Sequence, residues 1–425
     1  MTGDDDEPSA APTGKPPEPS DSRPRPDLPR TDLSFVADAL DASSAAEEAD
    51  ALVAVGDRFD DDLRYLTRFS GPDRDFTVVV TADRAVLCAP ALFKEQATRE
   101  FVAHHTGSDG TPVDGVAREV RTENLGDPAG ERAAAVVADL VGPDATLLAP
   151  QSIPHDAAVY LESADHELSS TSAVADARLV KTDDELDCLR RVQRATARGM
   201  ARAETVLAES VVEGDELVWN GGPLSTERLR RQVNETLAAY GVRNAGNTVI
   251  GAGPTAADLH YTGVDAIRPG ETVLLDVSPR GPHGYYGDMT RTFVVESEGG
   301  WERRAYVACE AAREAALAEV EAGAAAGVVH TEAAAELTAY GFDPNAGEGE
   351  AGFTHGTGHG VGVSLHEGPS LSSDTELEAG HVVTVEPGVY DPEQGGVRLE
   401  DLVAVTEDGY EILHEYPFGI TPERR

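Results

Sequence analysis

The chain of 425 residues carries 34 lysines and arginines against 77 aspartates and glutamates, which gives a formal net charge of −43. Such a charge argues against nucleic acid or an anionic membrane surface as a partner. Hydrophobic residues make up 40% of the chain, enough for buried cores, and the length favours two domains over one.

No stretch of the sequence approaches the roughly 20 apolar residues that a membrane-spanning helix needs. The first residues are acidic and do not form a basic leader followed by an apolar run, so we expect a cytoplasmic protein. The cysteines, Cys88, Cys188 and Cys309, are odd in number and far apart. They predict free buried thiols rather than a disulfide framework or a cysteine metal site.

Arginine supplies nearly all of the positive charge, since lysine occurs only at Lys15, Lys94 and Lys181. A large surplus of carboxylates repels itself in dilute buffer and is tolerated where concentrated salt screens the charges. The composition therefore resembles that of halophilic proteins from organisms that accumulate salt. An acidic protein from a mesophile is the alternative.

Residues 1–31 are rich in proline and acidic residues and predict a disordered tail. In residues 32–161 short apolar runs alternate with helical stretches, which predicts an α/β domain. The run Asp60-Asp61-Asp62 is interpreted as a solvated face rather than a metal site. The expected strands are Ala51–Val55, Phe76–Val80, Ala85–Ala89 and Ala145–Ala149, and the expected helices are Ala37–Ala49, Ala91–His105 and Glu131–Val141.

Residues 162–180 are polar and predict a linker before a second domain at 181–425. Thr182 is followed three residues later by Glu185, the signature of a capping box, which predicts a long helix to about Ala208. More helices and several strands follow, so the overall class is α+β. The further expected helices are Ser225–Tyr240, Trp301–Ala322 and His330–Tyr340.

The second domain contains a glycine-rich segment with three histidines, FTHGTGHGVGVSLHE at Phe353–Glu367. Glycine allows the backbone to approach a bound ion closely. His355 and His359 fall on the same side of an extended chain, whereas His366 falls on the other side unless the chain bends. A glycine-rich hinge with incidental histidines is the alternative interpretation.

Two aspartates lie in a predicted hairpin of the same domain. Asp276 belongs to the strand Thr272–Val277, and Asp288 belongs to a returning strand at Tyr285–Val295. A carboxylate within an apolar strand is costly unless it is paired or binds a cation. We therefore expect the two aspartates to face each other and to share cations.

A second predicted hairpin repeats this arrangement with glutamates. Glu386 follows the apolar run His381–Val385, and Glu400 lies on the strand that returns after a turn at about Pro392–Gly396. His359 lies between the two hairpins in sequence. Two divalent cations would neutralise four carboxylates, and oxygen ligands with one imidazole suit manganese, cobalt, iron or zinc in a catalytic site. Such a pair of metals ionises a shared water.

With their flanking residues, these positions resemble the pita-bread metallopeptidases, a family that includes methionine aminopeptidase, aminopeptidase P and prolidase. The matching stretches are VLLD, YYGDMTRT, GTGHGVG, VEPGVY and GVRLED, and the resemblance is strongest from Thr248 to Leu413. The segment Asp60–Gly71 looks like the start of the creatinase-type N-terminal domain of the family. The resemblance implies a pita-bread catalytic domain with two metal ions, and it implies these ligands: Asp276, Asp288, His359, Glu386 and Glu400.

His355 and Arg398 resemble the branch of the family that cleaves prolyl bonds, aminopeptidase P and prolidase. The resemblance implies hydrolysis of the bond between an N-terminal residue and proline, with manganese as the expected metal. Creatinase shares the two domains but lacks the metal ligands. Asp276 and Asp288 are twelve residues apart, one more than the usual family spacing. We place the extra residue in the turn Pro279–Pro282 and expect the aspartates to stay adjacent.

The resemblance also implies roles for individual residues. Glu386 would take a proton from the attacking water and pass it to the leaving nitrogen. His366 and His260 would form hydrogen bonds to the substrate and stabilise its tetrahedral intermediate. His355 and Arg398 would shape the proline side of the site. The remaining histidines are interpreted as having no role: His104, His105, His155, His166, His283, His330, His381 and His414.

Two other functions stay open. One is a different hydrolase or a lyase on the same metal site, and the other is a non-catalytic pita-bread binding protein, which the intact set of ligands disfavours. Proline-containing peptides are the expected partners, and the relatives imply a homodimer or homotetramer. The sequence does not decide between an Xaa-Pro aminopeptidase and an Xaa-Pro dipeptidase, nor does it identify the native metal or the preferred N-terminal residue.

Overall fold

A computed structural model describes residues 28–42, 48–123, 126–347 and 349–425 of the chain. Most of the predicted tail, residues 1–27, lies outside the described residues, as do residues 43–47 of the predicted helix Ala37–Ala49. At the end of the predicted tail, Thr31 is buried, and its backbone N–H donates to His105 Nε2 at 3.1 Å. The folded part of the chain therefore includes Thr31.

The first half of the chain forms a mixed sheet covered by helices. Its strands are β1 (Ala51–Gly56), β2 (Phe76–Val80), β3 (Arg84–Pro90), β4 (Ala117–Glu123), β5 (Thr146–Pro150) and β6 (Glu167–Thr171). Its helices are α1 (Phe35–Asp41), α2 (Asp61–Thr67), α3 (Lys94–Ala97), α4 (Ala129–Leu140), α5 (His155–Ser163) and α6 (Ala173–Ala177). The strand order is β4-β3-β2-β1-β5-β6, with parallel pairs at β3–β4, β1–β5 and β5–β6. Both faces of β1 are buried, which explains its continuous apolar sequence.

The four predicted apolar strands of this domain are present, but β4 and β6 were not predicted. Both are polar edge strands, so their sequences lack the apolar run by which the central strands were recognised. Because β6 and α6 occupy much of residues 162–180, most of the predicted linker belongs to the N-terminal domain. The predicted helix Ala91–His105 is instead a series of short 3₁₀, α and π segments.

The second half of the chain consists of two similar halves, each with two helices and a three-stranded sheet. The helices are α7 (Asp183–Glu209), α8 (Thr226–Ala239), α9 (Trp301–Ala318) and α10 (Ala326–Ala339). The strands are β7 (Val211–Glu213), β8 (Glu216–Trp219), β9 (Gly222–Pro223), β10 (Thr248–Ala252), β11 (Thr272–Val277), β12 (Thr290–Val294), β13 (Val382–Val385), β14 (Gly388–Asp391), β15 (Gly395–Arg398), β16 (Asp401–Thr406) and β17 (Gly409–Ile412). The capping box that Thr182 and Glu185 predict is present at the start of α7.

In each half the helices bury their apolar faces against the sheet. Helices α7 and α8 share a core with the sheet β10-β11-β12, and α9 and α10 share one with the sheet β13-β16-β17. The halves meet where Glu400 N–H donates to Thr290 O at 3.1 Å and Thr292 Oγ1 donates to Arg398 O at 3.1 Å. This contact brings the two acidic hairpins together.

The two domains are joined by buried arginine ion pairs. Arg68 of the N-terminal domain lies 2.8 Å from Glu185 Oε1 and donates to Tyr285 Oη at 2.6 Å. The prediction that the run Asp60–Asp62 is a solvated face is wrong. The side chain of Asp61 accepts from Arg280 at 2.7 Å, so the run contributes to the domain interface. Sequence periodicity cannot show this role, because the partner residue lies in the other domain.

Candidate metal centre

The two aspartates predicted to face each other are neighbours. Ligand oxygens of Asp276, Asp288 and Glu400 all lie within 4.8 Å of one another. Ser278 Oγ lies 3.1 Å from Asp276 Oδ1 and 2.9 Å from Asp288 Oδ1. The twelve-residue spacing therefore leaves the aspartates side by side. One detail of the prediction is wrong: Asp288 precedes β12, which begins at Thr290. Outside the strand, Tyr286 N–H donates to Gly362 O at 2.9 Å and Asp288 N–H donates to Gln193 Oε1 of α7.

The histidine and the remaining glutamate lie against this group. His359 Nε2 is 3.4 Å from Glu386 Oε1 and 3.9 Å from Asp288 Oδ2. His359 Nδ1 lies 3.1 Å from Gly360 O, so the proton is placed on Nδ1 and the lone pair of Nε2 faces the carboxylates. The structure thus brings all five predicted ligands together.

The cluster concentrates negative charge in a buried place. Burial raises the pKa of Asp288 well above its usual range, and repulsion from Asp276 and Glu386 adds to the effect. Burial likewise raises the pKa of Glu400, and it raises the pKa of Glu386 to about 7. Burying like charges is unfavourable unless a cation neutralises them. Four carboxylates and an imidazole therefore fit divalent metal ions.

Several polar residues hold the ligands in place, and the sequence analysis missed them. The amide of Gln193 on α7 bonds both peptide groups of Asp288: its Nε2 donates to Asp288 O, and its Oε1 accepts from Asp288 N at 2.9 Å. Thr290 Oγ1 donates to Glu400 Oε2 at 2.7 Å, and Thr384 Oγ1 donates to Glu386 Oε1 at 3.1 Å. A glutamine on the buried face of an amphipathic helix was the one signal available in the sequence.

Arg398 and His355 are connected through a tyrosine. Arg398 donates from Nη2 to Asp276 Oδ2 at 2.6 Å and from Nη1 to Tyr390 Oη at 2.9 Å. Tyr390 Oη lies 2.8 Å from His355 Nε2, and His355 Nδ1 lies 2.7 Å from Gly356 O. Both nitrogens of His355 therefore have partners within the chain. Burial lowers the pKa of His355 to about 3, and Arg398 adds to the effect.

The other two predicted histidines line the cavity above the carboxylates. His260 and His366 are exposed, and the rings of His359 and His366 lie 4.3 Å apart. The cavity has a volume of about 480 Å³, and Val249, Leu259 and Leu365 add apolar surface to its lining. His330, for which no role was predicted, lies behind this site, with Nδ1 2.9 Å from Thr357 Oγ1.

Cys88, Cys188 and Cys309 are buried and lie outside any disulfide, as predicted. Within the described part of the chain, no helix combines the length and the apolar character needed to cross a bilayer.

Comparison with known proteins gives the same picture. The profile of metallopeptidase family M24 matches residues 187–407, slightly more than half of the chain. The probable dipeptidase PepE of Mycobacterium tuberculosis is 31% identical over 251 residues, which is 58% of this chain and 62% of that protein. The Xaa-Pro dipeptidase of Pyrococcus furiosus is 30% identical over 244 residues, which is 56% of this chain and 64% of that protein. The matches thus span less than two thirds of the length of these relatives.

The fold is similar over a longer stretch. The structure of an Xaa-Pro dipeptidase from Bacillus anthracis superposes with a TM-score of 0.73 and covers 88% of this chain and 94% of that chain, at 23% identity. This similarity includes the N-terminal domain. It confirms the predicted α+β class, with a pita-bread domain preceded by a smaller α/β domain.

Proposed function

Because the chain belongs to metallopeptidase family M24, we propose that it hydrolyses the peptide bond between an N-terminal residue and a following proline. The observation that carries this proposal is the convergence of Asp276, Asp288 and Glu400 within 4.8 Å, with His359 and Glu386 beside them. The names of the relatives support proline-containing peptides as substrates.

We propose that these five residues hold two divalent metal ions, with manganese as the native metal. When bound, the ions supply an ionised water as nucleophile and polarise the carbonyl of the scissile bond. The oxygen-rich set of ligands supports manganese over a metal that prefers sulfur. Ser278, Thr290 and Thr384 orient the carboxylate oxygens toward one another.

The protein's own side chains move the protons. Glu386, whose Oε1 lies 3.4 Å from His359 Nε2, accepts the proton of the attacking water and delivers it to the proline nitrogen as that nitrogen leaves. His366 and His260, which line the cavity, donate hydrogen bonds to the oxygen on which negative charge develops. Arg398 and His355, linked by Tyr390, form the wall on the proline side.

Three further properties belong to the proposal. We place the protein in the cytoplasm, which three buried cysteines outside any disulfide support. We expect a homodimer or homotetramer, on the analogy of relatives. The net charge of −43 supports adaptation to concentrated salt.

The test is an assay of the full chain, loaded with manganese in molar KCl, on four peptides: Ala-Pro, Ala-Pro-Ala, Ala-Ala and Ala-Ala-Ala. We expect cleavage before proline and none in the two peptides that lack it. The ratio of kcat/KM for Ala-Pro and Ala-Pro-Ala distinguishes a dipeptidase from an aminopeptidase. Absence of cleavage of both proline peptides, in protein that binds two equivalents of metal, would discard the peptidase function in favour of another hydrolase or a lyase.

A further inference from the structure

A second cluster of like charges lies between the two domains, away from the metal centre. A cavity of about 220 Å³ is lined by residues near α2 and by the turn that links Asp276 to Asp288. Among the described residues its lining contains four arginines and no carboxylate, in a chain whose net charge is −43. The lining residues are Arg58, Arg64, Ser70, Arg243, Arg280, Pro282 and Gly284.

Arg64 is a buried member of this cluster that forms no ion pair among the described residues. Its side chain belongs to α2, and the residue is 5% exposed. Its Nη2 donates to Pro282 O at 3.3 Å, and among the described residues its other N–H groups have no acceptor and no carboxylate forms an ion pair with it. Burial lowers the pKa of Arg64 to about 10; Arg68 and Arg280 contribute to this, whereas Glu100 opposes it. A buried guanidinium in this position is costly without an anion.

The other three arginines complete the lining of the cavity. Arg280 is also buried, and its guanidinium bonds Asp61 Oδ1 and Gly284 O, each at 2.7 Å. Arg58 and Arg243 are exposed, and neither forms an ion pair within the described ranges of the chain. The adjoining larger cavity, of about 730 Å³, differs in that Glu100 and Asp184 contribute to its lining. Positive charge is therefore concentrated in the smaller cavity.

We propose that the small cavity binds an inorganic oxyanion of the phosphate or sulfate class, held by Arg64 and Arg280 and enclosed by Arg58 and Arg243. The planar fork of guanidinium N–H donors matches two oxygens of such an anion. The anion neutralises the buried charge of Arg64, which has no ion-pair partner among the described residues. It also links the N-terminal domain to the turn between two candidate metal ligands.

The test is isothermal titration of the full chain with sodium sulfate, at constant ionic strength in KCl. Because sulfate could also contact metal ions, the titration is made with manganese-loaded protein and with chelator-treated protein. We expect one equivalent of sulfate to bind with the same affinity in both. Absence of saturable binding, or binding that disappears with the metal, would overturn the assignment.

Two exposed arginines allow a variant that does not disturb the core. Arg58→Gln with Arg243→Gln removes half of the charge around the cavity, and Arg303→Gln with Arg424→Gln removes two exposed arginines elsewhere. We expect sulfate to bind at least tenfold more weakly to the first double variant. Its affinity for the second double variant should be unchanged. Equal affinity in the two double variants would refute the site.

Chloride is the competing occupant. The titration is repeated with acetate in place of chloride, and potassium chloride is then titrated into the sulfate-free protein. An oxyanion site binds sulfate more tightly than chloride under both conditions. If chloride binds more tightly than sulfate and the arginine double variant abolishes that binding, the cavity is a halide site and the oxyanion assignment is wrong.

Discussion

The candidate metal centre and the arginine cavity are two clusters of like charge, and they are built differently. The carboxylates of the candidate metal centre lie at the meeting of two hairpins of one domain, where Ser278, Thr290 and Thr384 bond their oxygens. The arginines come from both domains, and Arg58 and Arg243 are exposed at their positions. Carboxylates and an imidazole present single ligand atoms to a cation, whereas the planar fork of a guanidinium presents paired N–H donors to two oxygens of an anion.

Both clusters contrast with other buried charges of the protein. Arg291 is 1% exposed and bonds Asp401 at 2.9 Å, and Arg68 lies 2.8 Å from Glu185. In such pairs the two partners neutralise each other. Where like charges gather instead, single opposite charges such as Arg398 beside Asp276 and Asp61 beside Arg280 do not balance the cluster, and the excess charge indicates a ligand.

The largest expected effect comes from breaking the acidic cluster. Asp288→Asn keeps the size of the side chain but removes one proposed metal ligand and one negative charge. We expect kcat to fall by about 1,000-fold or more, since metal catalysis supplies several kcal/mol of transition-state stabilisation. Steady-state kinetics on Ala-Pro measure this loss.

The same variant separates catalysis from stability. Without metal, Asp288→Asn should raise the melting temperature, because it removes a carboxyl group whose pKa is raised by burial and by repulsion from Asp276 and Glu386. The control is Asp408→Asn at an exposed turn, which should change neither kcat nor the melting temperature. A metal-free variant that melts well below the wild type would contradict the view that the carboxylates repel one another.

The second prediction tests whether the carboxylates are held rigidly. Gln193→Leu removes both hydrogen bonds to the peptide groups of Asp288 and leaves those groups buried without partners. Loss of such support typically weakens metal binding by about 10- to 100-fold. Titration calorimetry with manganese measures the affinity. Gln232→Leu on α8, which removes one hydrogen bond to Arg202, is the matched control, and equal affinities in the two variants would show that Gln193 does not position the site.

The third prediction concerns the overall surplus of carboxylates rather than the four carboxylates of the candidate metal site. Concentrated KCl should stabilise the fold by screening surface repulsion. We expect the urea midpoint to rise by about 1 M or more between 0.1 M and 3 M KCl, equal to about 2 kcal/mol at a typical m-value. Chemical denaturation followed by circular dichroism measures it. Sucrose at equal osmolality is the control, and equal midpoints at both KCl concentrations would reject adaptation to salt.

The smallest expected effect concerns His105, a basic side chain that stays uncharged in the folded protein near other positive charges. His105 Nδ1 lies 3.0 Å from Phe101 O, and Nε2 accepts from Thr31 N–H. Both ring nitrogens therefore form hydrogen bonds when the ring is neutral. Burial lowers the pKa of His105 to about 3, and Arg118 and His104 add to the effect. Between pH 3 and 6.5 the unfolded chain binds a proton that the folded chain does not, so stability falls as the pH falls through this range.

From pH 7 to 5.5 this residue should contribute a loss of about 1 kcal/mol in the free energy of unfolding. His105→Gln should flatten the pH dependence of the urea midpoint by that amount, because glutamine does not titrate. His155→Gln, at an exposed position, is the control. An unchanged slope in His105→Gln would mean that the buried ring is protonated in the folded protein.

Much of the fold was predictable because its signals are local. The capping box at Thr182, the cap at Ser225 and the apolar strands of the N-terminal sheet depend on residues a few positions apart. The polar edge strands β4 and β6 carry no such pattern and were missed. Their place in the sheet is decided by pairing with β3 and β5, which are distant in sequence.

The sequence by itself determined the chemistry of the candidate metal site: which carboxylates, which imidazole, and in which hairpins. Only the tertiary structure decided that Gln193 holds Asp288, and that Arg64 meets Pro282 from 218 residues away. The physical reason for this difference is that residue type and spacing indicate what a short segment can bind. Convergence of single polar residues from distant segments exists only once both domains have packed.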